Sequence, residues 1–209
     1  MRIEFIGVTG SGKTYIANKI LPDLKQRFPN IIWPWRELFD KNRSWFLRNI
    51  RKAFSVCSFG FFHFCWVIQL QKCIWLYTDT TFVQRITLLF NGIYLKSSLD
   101  RNQNCDTVYD EGLMQYIWAI HLRGKDFPSK DEVNLMVGLF GPPNILYVID
   151  APPEVIAQRI DTRGRRVFIQ GSKDMISEVI RMKEICYRIV SLLKDICSDE
   201  LNIKNIDNG

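Results

Sequence analysis

The sequence predicts an α/β fold, a parallel sheet with helices on both faces, and three observations predict it. Short strand-like runs at 2–7, 31–33, 107–109, 144–149 and 201–206 alternate with segments of helical periodicity. The first run leads at once into Gly7-Val8-Thr9-Gly10-Ser11-Gly12-Lys13-Thr14, a G-x-x-x-x-G-K-[ST] pattern that opens a helix. The third and fourth runs end on Asp110 and Asp150, the end of a parallel strand where such sheets gather their ligands.

Each element has a local reason. Arg2-Ile3-Glu4-Phe5-Ile6 reads as a short buried strand. Residues 13–27 read as a helix with Ile16, Ile20, Leu21 and Leu24 on one face, stopped by Phe28-Pro29-Asn30. Ile31-Ile32-Trp33 is expected as the second strand. Residues 38–98 are helical in pattern, with breaks expected near Gly60, Asp79 and Gly92. Thr107-Val108-Tyr109 is the third strand, followed by a helix over 112–123 and a loop over 125–130 around Pro128. Gly141-Pro142-Pro143 precedes the strand at 144–149. Pro152-Pro153-Glu154 starts a helix, since proline suits a first helical turn, and Gly164 ends it. A long helix is expected over 173–196, then a last strand at 201–206.

The glycine-rich run is a phosphate-binding loop by mechanics as well as by pattern. Gly7, Gly10 and Gly12 let the backbone curl so that amides around Thr9 and Ser11 point at one anion. Lys13 would reach the β- and γ-phosphates of a nucleotide, and the Thr14 hydroxyl would hold Mg²⁺. The helix that begins here, with Tyr15 in its first turn, turns its positive dipole end to the same phosphates.

Composition fits a chain of 209 residues with one substantial core: 47% apolar and 24% charged. The formal charge of +6 suits anionic small molecules. No long basic run marks a nucleic-acid tail, so nucleic acid is not expected as a partner. Six cysteines form no C-x-x-C pair and only His63 and His121 join them, which argues against zinc. Cys57, Cys65 and Cys73 are expected as buried free thiols. A reducing cytoplasm suits such a chain, and the start of the sequence does not read as a secretory signal. Between Lys52 and Lys72 lie 19 residues without acid or strong base, rich in Phe and Trp. A buried helical hairpin is the favoured reading, with peripheral membrane contact, a pocket for a greasy substrate or a homodimer face as alternatives.

Two further constellations carry chemistry. Asp110 could orient Mg²⁺ beside the loop, and Glu111 could act as base toward an acceptor hydroxyl or toward water. Arg159, Arg163, Arg165 and Arg166 bracket Gly164, as in a mobile lid whose guanidiniums stabilise a migrating phosphoryl group.

These pieces in this order resemble the thymidylate-kinase-like P-loop nucleoside and nucleotide kinases. The specific parts are Gly7 to Thr14 and the run from Tyr147-Val148-Ile149-Asp150-Ala151-Pro152-Pro153-Glu154 through Arg159 to Arg165. The resemblance implies a single domain over 1–209, a five-stranded sheet of order 2-3-1-4-5, an inserted helical region at about 38–98 and a lid at about 159–172. It implies ATP and Mg²⁺, with Arg159 near the adenine, Arg163 or Arg165 on the phosphates, and the turn around Asp207 near the base. Arg36-Glu37 looks like the family's acceptor-contacting motif, with Glu37 as acceptor-side base. The family usually has Asp-Arg or Glu-Arg where this chain has Asp110-Glu111. That reversed charge would repel a phosphorylated acceptor and favours a neutral hydroxyl on a sugar, nucleoside-like or lipid-linked molecule. The expected activity is transfer of the γ-phosphate to a small-molecule hydroxyl or phosphate. The alternative is an ATPase or switch protein in which Glu111 activates water.

Overall fold

The structure, a computed structural model, describes residues 1–34, 45–124, 126–163, 174–197 and 201–209. Four strands form one parallel sheet: β1 (Arg2–Ile6), β2 (Thr107–Tyr109), β3 (Ile145–Asp150) and β4 (Asn202–Asp207), in the order β2-β1-β3-β4. Ile3 sits opposite Val108, Phe5 opposite Tyr147 and Asp150 opposite Asp207. Eight helices are described: α1 (Lys13–Arg27), α2 (Trp45–Phe62), α3 (Phe64–Tyr77), α4 (Phe82–Arg101), α5 (Leu113–His121), α6 (Lys130–Phe140), α7 (Pro153–Thr162) and α8 (Met175–Ile196).

Side chains alternate across the strands and divide the core in two. Ile3, Phe5, Val108, Tyr147 and Ile149 face α1, whose Ile16, Ala17 and Leu24 cover them. Ile6, Tyr109, Leu146 and Val148 face the larger helical layer, with Leu70, Ile93, Ile117, Val133, Ile156 and Ile189 among its members. The result is helix, sheet, helix, with every strand delivering its carboxyl end to one rim.

Within β1 one buried position breaks the apolar pattern. Glu4 is fully buried. Its carboxylate lies 3.1 Å from the Arg2 Nε and accepts the Met114 amide at 3.1 Å. The charge therefore meets the opening turn of α5, where a helix favours an anion. Gly112 is required beside it, because a Cβ there would run into the Glu4 carboxylate. Arg2 also donates to the carbonyls of Phe140 and Gly141.

The structure corrects several expectations. The second of five strands is not formed among the described residues. Ile32 makes a single parallel bridge to Thr107, donating to the Asp106 carbonyl and accepting from the Val108 amide, both at 2.9 Å. The run is short and Pro34 has no amide to extend a ladder. The break expected near Gly60 lies at His63, between α2 and α3, where Phe59 stacks on the imidazole at 4.1 Å. Gly92 lies inside α4, not at a break. There the Tyr116 hydroxyl and Leu70 fill the space a side chain would need. Of the three spaced cysteines only Cys73 is buried, while Cys57 and Cys65 are exposed. The 53–71 stretch is half core, through Val56, Phe59 and Leu70, and half surface. No helix among the described residues is long and apolar enough to cross a membrane.

Helix α6 has no counterpart among the expected elements. Its start is a capping box: the Glu132 amide reaches the Ser129 hydroxyl at 3.3 Å, and the Ser129 amide reaches the Glu132 carboxylate at 2.6 Å. Ser129→Ala is expected to cost about 1 kcal/mol. Urea unfolding followed by circular dichroism would show it as a lower midpoint with an unchanged slope.

Candidate functional site

The site is built where the carboxyl ends of all four strands meet, at the point where strand order reverses around β1. The loop from Gly7 to Gly12 leaves β1, with Gly10 at φ 93° and Gly12 at φ 92°. L side chains rarely adopt that conformation. Space is closed as well: a Cβ on Gly7 would strike the Ile149 carbonyl, and one on Gly12 would strike the Asn208 amide. The loop can therefore curl against β3 and β4 only because these positions are glycine. The Ser11 side chain is buried, its amide donates to the Val8 carbonyl at 3.0 Å, and Thr9 is half-buried.

Lys13 opens α1 and folds back over the loop, its Nζ donating to the carbonyls of Gly7 at 2.6 Å and Val8 at 3.3 Å. Burial pulls its pKa down from the ordinary lysine range to about 8, with Arg163 adding to the fall, while Glu111, Cys186 and Asp110 oppose it. Lys13, Asp110, Glu111 and Arg163 thus share one electrostatic neighbourhood. Thr14 donates its hydroxyl to the Asp110 carboxylate at 3.2 Å, across the gap between β1 and β2. The other Asp110 oxygen accepts the Trp33 indole N–H, also at 3.2 Å. Glu111 is exposed in the turn that follows, and Tyr15 is exposed on the first turn of α1.

The opposite wall comes from α7 and the residues after β4. Arg159 donates to the Asn208 carbonyl at 3.2 Å and, more weakly, to the Gly10 carbonyl at 3.5 Å. Asn208 donates its side-chain amide to the Ser11 carbonyl at 2.8 Å and its backbone N–H to the Asp150 carbonyl at 2.8 Å. Asn208 rather than Asp207 is the residue of that turn that touches the loop. Asp207 is exposed and accepts the Gly209 amide at 3.0 Å. Arg163 caps the end of α7 and is exposed. Arg36, Glu37, Arg165 and the greater part of the expected lid, 164–172, lie outside the described residues.

A third group lies beneath Val8. Lys183 pairs with Asp150 at 2.9 Å and donates to the Ala151 carbonyl at 2.9 Å, and the Tyr187 hydroxyl donates to the second Asp150 oxygen. Burial alone would raise the Asp150 carboxyl, but hydrogen bonds from Tyr187, Lys183 and the Ala151 amide hold it below the usual carboxylate range. Burial pushes the neighbouring Cys186 thiol up to about 12, so it stays protonated despite the Lys13 charge. Lys183 and Tyr187 stand four apart on α8, a spacing that gives no hint of Asp150 in the sequence.

Among the described residues no group of three or more His, Cys, Asp or Glu could hold a metal. The Thr14–Asp110 pair is the kind of sparse oxygen set with which proteins hold Mg²⁺ jointly with a ligand's phosphates.

No protein-family model matches the sequence, and no curated protein matches it. Solved structures do. Deoxyadenosine kinase from M. mycoides with bound dATP matches at 13% identity and TM-score 0.50, covering 99% of this chain and 91% of that one. The same enzyme with the products dCMP and a flexible dCDP bound matches at 13% identity and TM-score 0.50, covering 99% and 90%. Thymidylate kinase from Ehrlichia chaffeensis matches at 15% identity and TM-score 0.48, covering 100% and 87%. At such identities the likeness speaks for architecture alone: this chain shares the α/β fold of the M. mycoides enzyme.

Proposed function

We propose that this protein is an ATP- and Mg²⁺-dependent kinase that transfers a phosphoryl group to a small-molecule hydroxyl or phosphate, nucleoside-like or sugar-like. One observation carries the reading: the Thr14 hydroxyl and the Asp110 carboxylate converge at 3.2 Å directly behind a glycine cradle that also holds Lys13. The residues present fit the nucleotide and its metal. Positive-φ glycines leave room for phosphate against backbone amides, and one hydroxyl with one carboxylate suits Mg²⁺. Bound MgATP supplies an electrophilic terminal phosphorus with part of its charge already neutralised.

The chain's own residues divide the remaining work. Lys13 exchanges its two carbonyl partners for phosphate oxygens and keeps its proton there. Thr14 and Asp110 orient the metal, and Trp33 steadies Asp110. Arg159 braces the loop against the turn at Asn208, and Arg163 lies at the end of α7 where a guanidinium can meet migrating charge. Glu111 takes the proton of the acceptor hydroxyl. Its carboxylate favours a neutral acceptor over a monophosphate. Arg36, Glu37 and Arg165 complete the acceptor side and lid in this reading. The dATP held by the M. mycoides enzyme, which shares the fold, is in line with a nucleotide at the cradle.

Calorimetric titration of MgATP across pH, followed by ADP measurement over a panel of acceptors, tests the proposal. Anionic phosphate favours charged Lys13, whose pKa in the free protein is about 8. Binding should therefore weaken as pH rises through that value, by roughly tenfold between pH 7 and pH 9. ADP should form only with an acceptor present. No heat with MgATP, a flat pH profile, or ADP formation independent of acceptor would each overturn the reading.

A further inference from the structure

We propose that the junction of α2 and α3 is a docking surface for an anionic phospholipid bilayer. Four phenylalanines within eleven residues face water there: Phe54 is 76% exposed, Phe61 81%, Phe62 79% and Phe64 65%. Phe54 and Phe61 stand seven apart on α2 and so share one face. Phe61 and Phe62 meet edge to face at 5.5 Å. The opposite face of α2 is already used, since Val56 and Phe59 lie in the core, with Phe59 packed on His63 and against the edge of Trp66. A helix with one apolar face in the core and a second in water is not explained by the fold. Exposed apolar patches of this kind mark sites of association.

Charge selects the occupant. From Lys41 to Thr78 the sequence has no Asp or Glu and six Lys or Arg, three of them, Arg48, Arg51 and Lys52, on the helix that bears Phe54. The whole chain has 28 basic and 22 acidic residues, so everything outside this segment balances to neutrality and the net +6 resides here. A second copy of the chain brought onto this face would set like charge against like. An anionic membrane surface is complementary to both properties at once: phenylalanines enter the acyl boundary, and the net positive charge of this segment is drawn to anionic headgroups. Attachment is interfacial, since no described helix is long and apolar enough to span.

Flotation with nucleotide-free protein tests this independently of the kinase reading. The probes are vesicles of phosphatidylcholine alone and of phosphatidylcholine mixed with phosphatidylglycerol. Recovery with the anionic vesicles should exceed that with neutral ones at least tenfold and fall at high salt. Phe61→Ser with Phe62→Ser should cut it at least tenfold while leaving the thermal melt unchanged, because both rings lie outside the core. Arg51→Glu, which removes no aromatic ring, should weaken binding to anionic vesicles only. Absence of flotation, equal flotation on both vesicle types, or a concentration-dependent dimer abolished by the Phe substitutions without vesicle binding would overturn the proposal, the last in favour of a second copy.

Discussion

Lys13→Ala is expected to lose at least two orders of magnitude of phosphoryl-transfer turnover while the protein stays folded. The ammonium lies on the loop itself, 2.6 Å from the Gly7 carbonyl. Stabilisation of charge that develops during transfer is worth about 3–4 kcal/mol per well-placed donor in a water-poor site. Asp110 and Glu111 lie within its electrostatic reach, so the variant also leaves acidic groups without their counter-charge against an incoming polyphosphate. Structurally the loss is modest, because the lysine contributes two hydrogen bonds to a loop whose curl comes from Gly10 and Gly12. Steady-state ADP release and a thermal melt on the same preparation separate the two effects. Near-normal turnover would remove Lys13 from the chemistry.

Glu4→Ala is expected to cost about 3–5 kcal/mol of stability. The carboxylate is wholly buried, so the cost is less its own interaction energy than what it leaves behind. Arg2, which is itself largely shielded, would keep its charge without a carboxylate at 3.1 Å. The Met114 amide would lose its acceptor at the start of α5, a desolvation cost of about 1–3 kcal/mol included in that figure. Because α5 begins three residues after Asp110, the frayed turn would loosen the carboxylate proposed to orient the metal. Urea unfolding read by circular dichroism gives the number. A loss below about 1 kcal/mol would mean that Phe140 and Gly141 carbonyls alone satisfy Arg2.

What was legible in the sequence had local causes. The strand, loop and helix from Arg2 to Arg27 follow from spacing within one stretch of chain, and the structure places them so. Asp110 was found because a carboxylate closing an apolar run needs no distant information. Helix α6 carries a start signal in Ser129-x-x-Glu132, but Pro128 and the glycine-proline run at 141–143 surround it with turn residues that mask it in sequence. Gly92 differs in kind, being a helix-interior glycine with a packing role. Its role is fixed by Tyr116, which lies on another helix and follows no pattern with it. The same holds for Asn208, whose bond to Ser11 spans 197 positions, and for Lys183 and Tyr187 closing on Asp150. The aromatic stretch could be seen in composition, but periodicity could not divide a helix that is apolar on both sides into its inner and outer halves.

The bond from Asn208 to the loop carries a consequence for the order in which the molecule is made. Ser11 is synthesised 197 residues before Asn208. During translation the early segment can form its turn of helix, yet the partner that clasps Ser11 does not exist until β4 has emerged and paired with β3. Until that pairing forms, a nascent chain holds the loop without the Asn208 clasp on Ser11, however early its first strand and helix have folded.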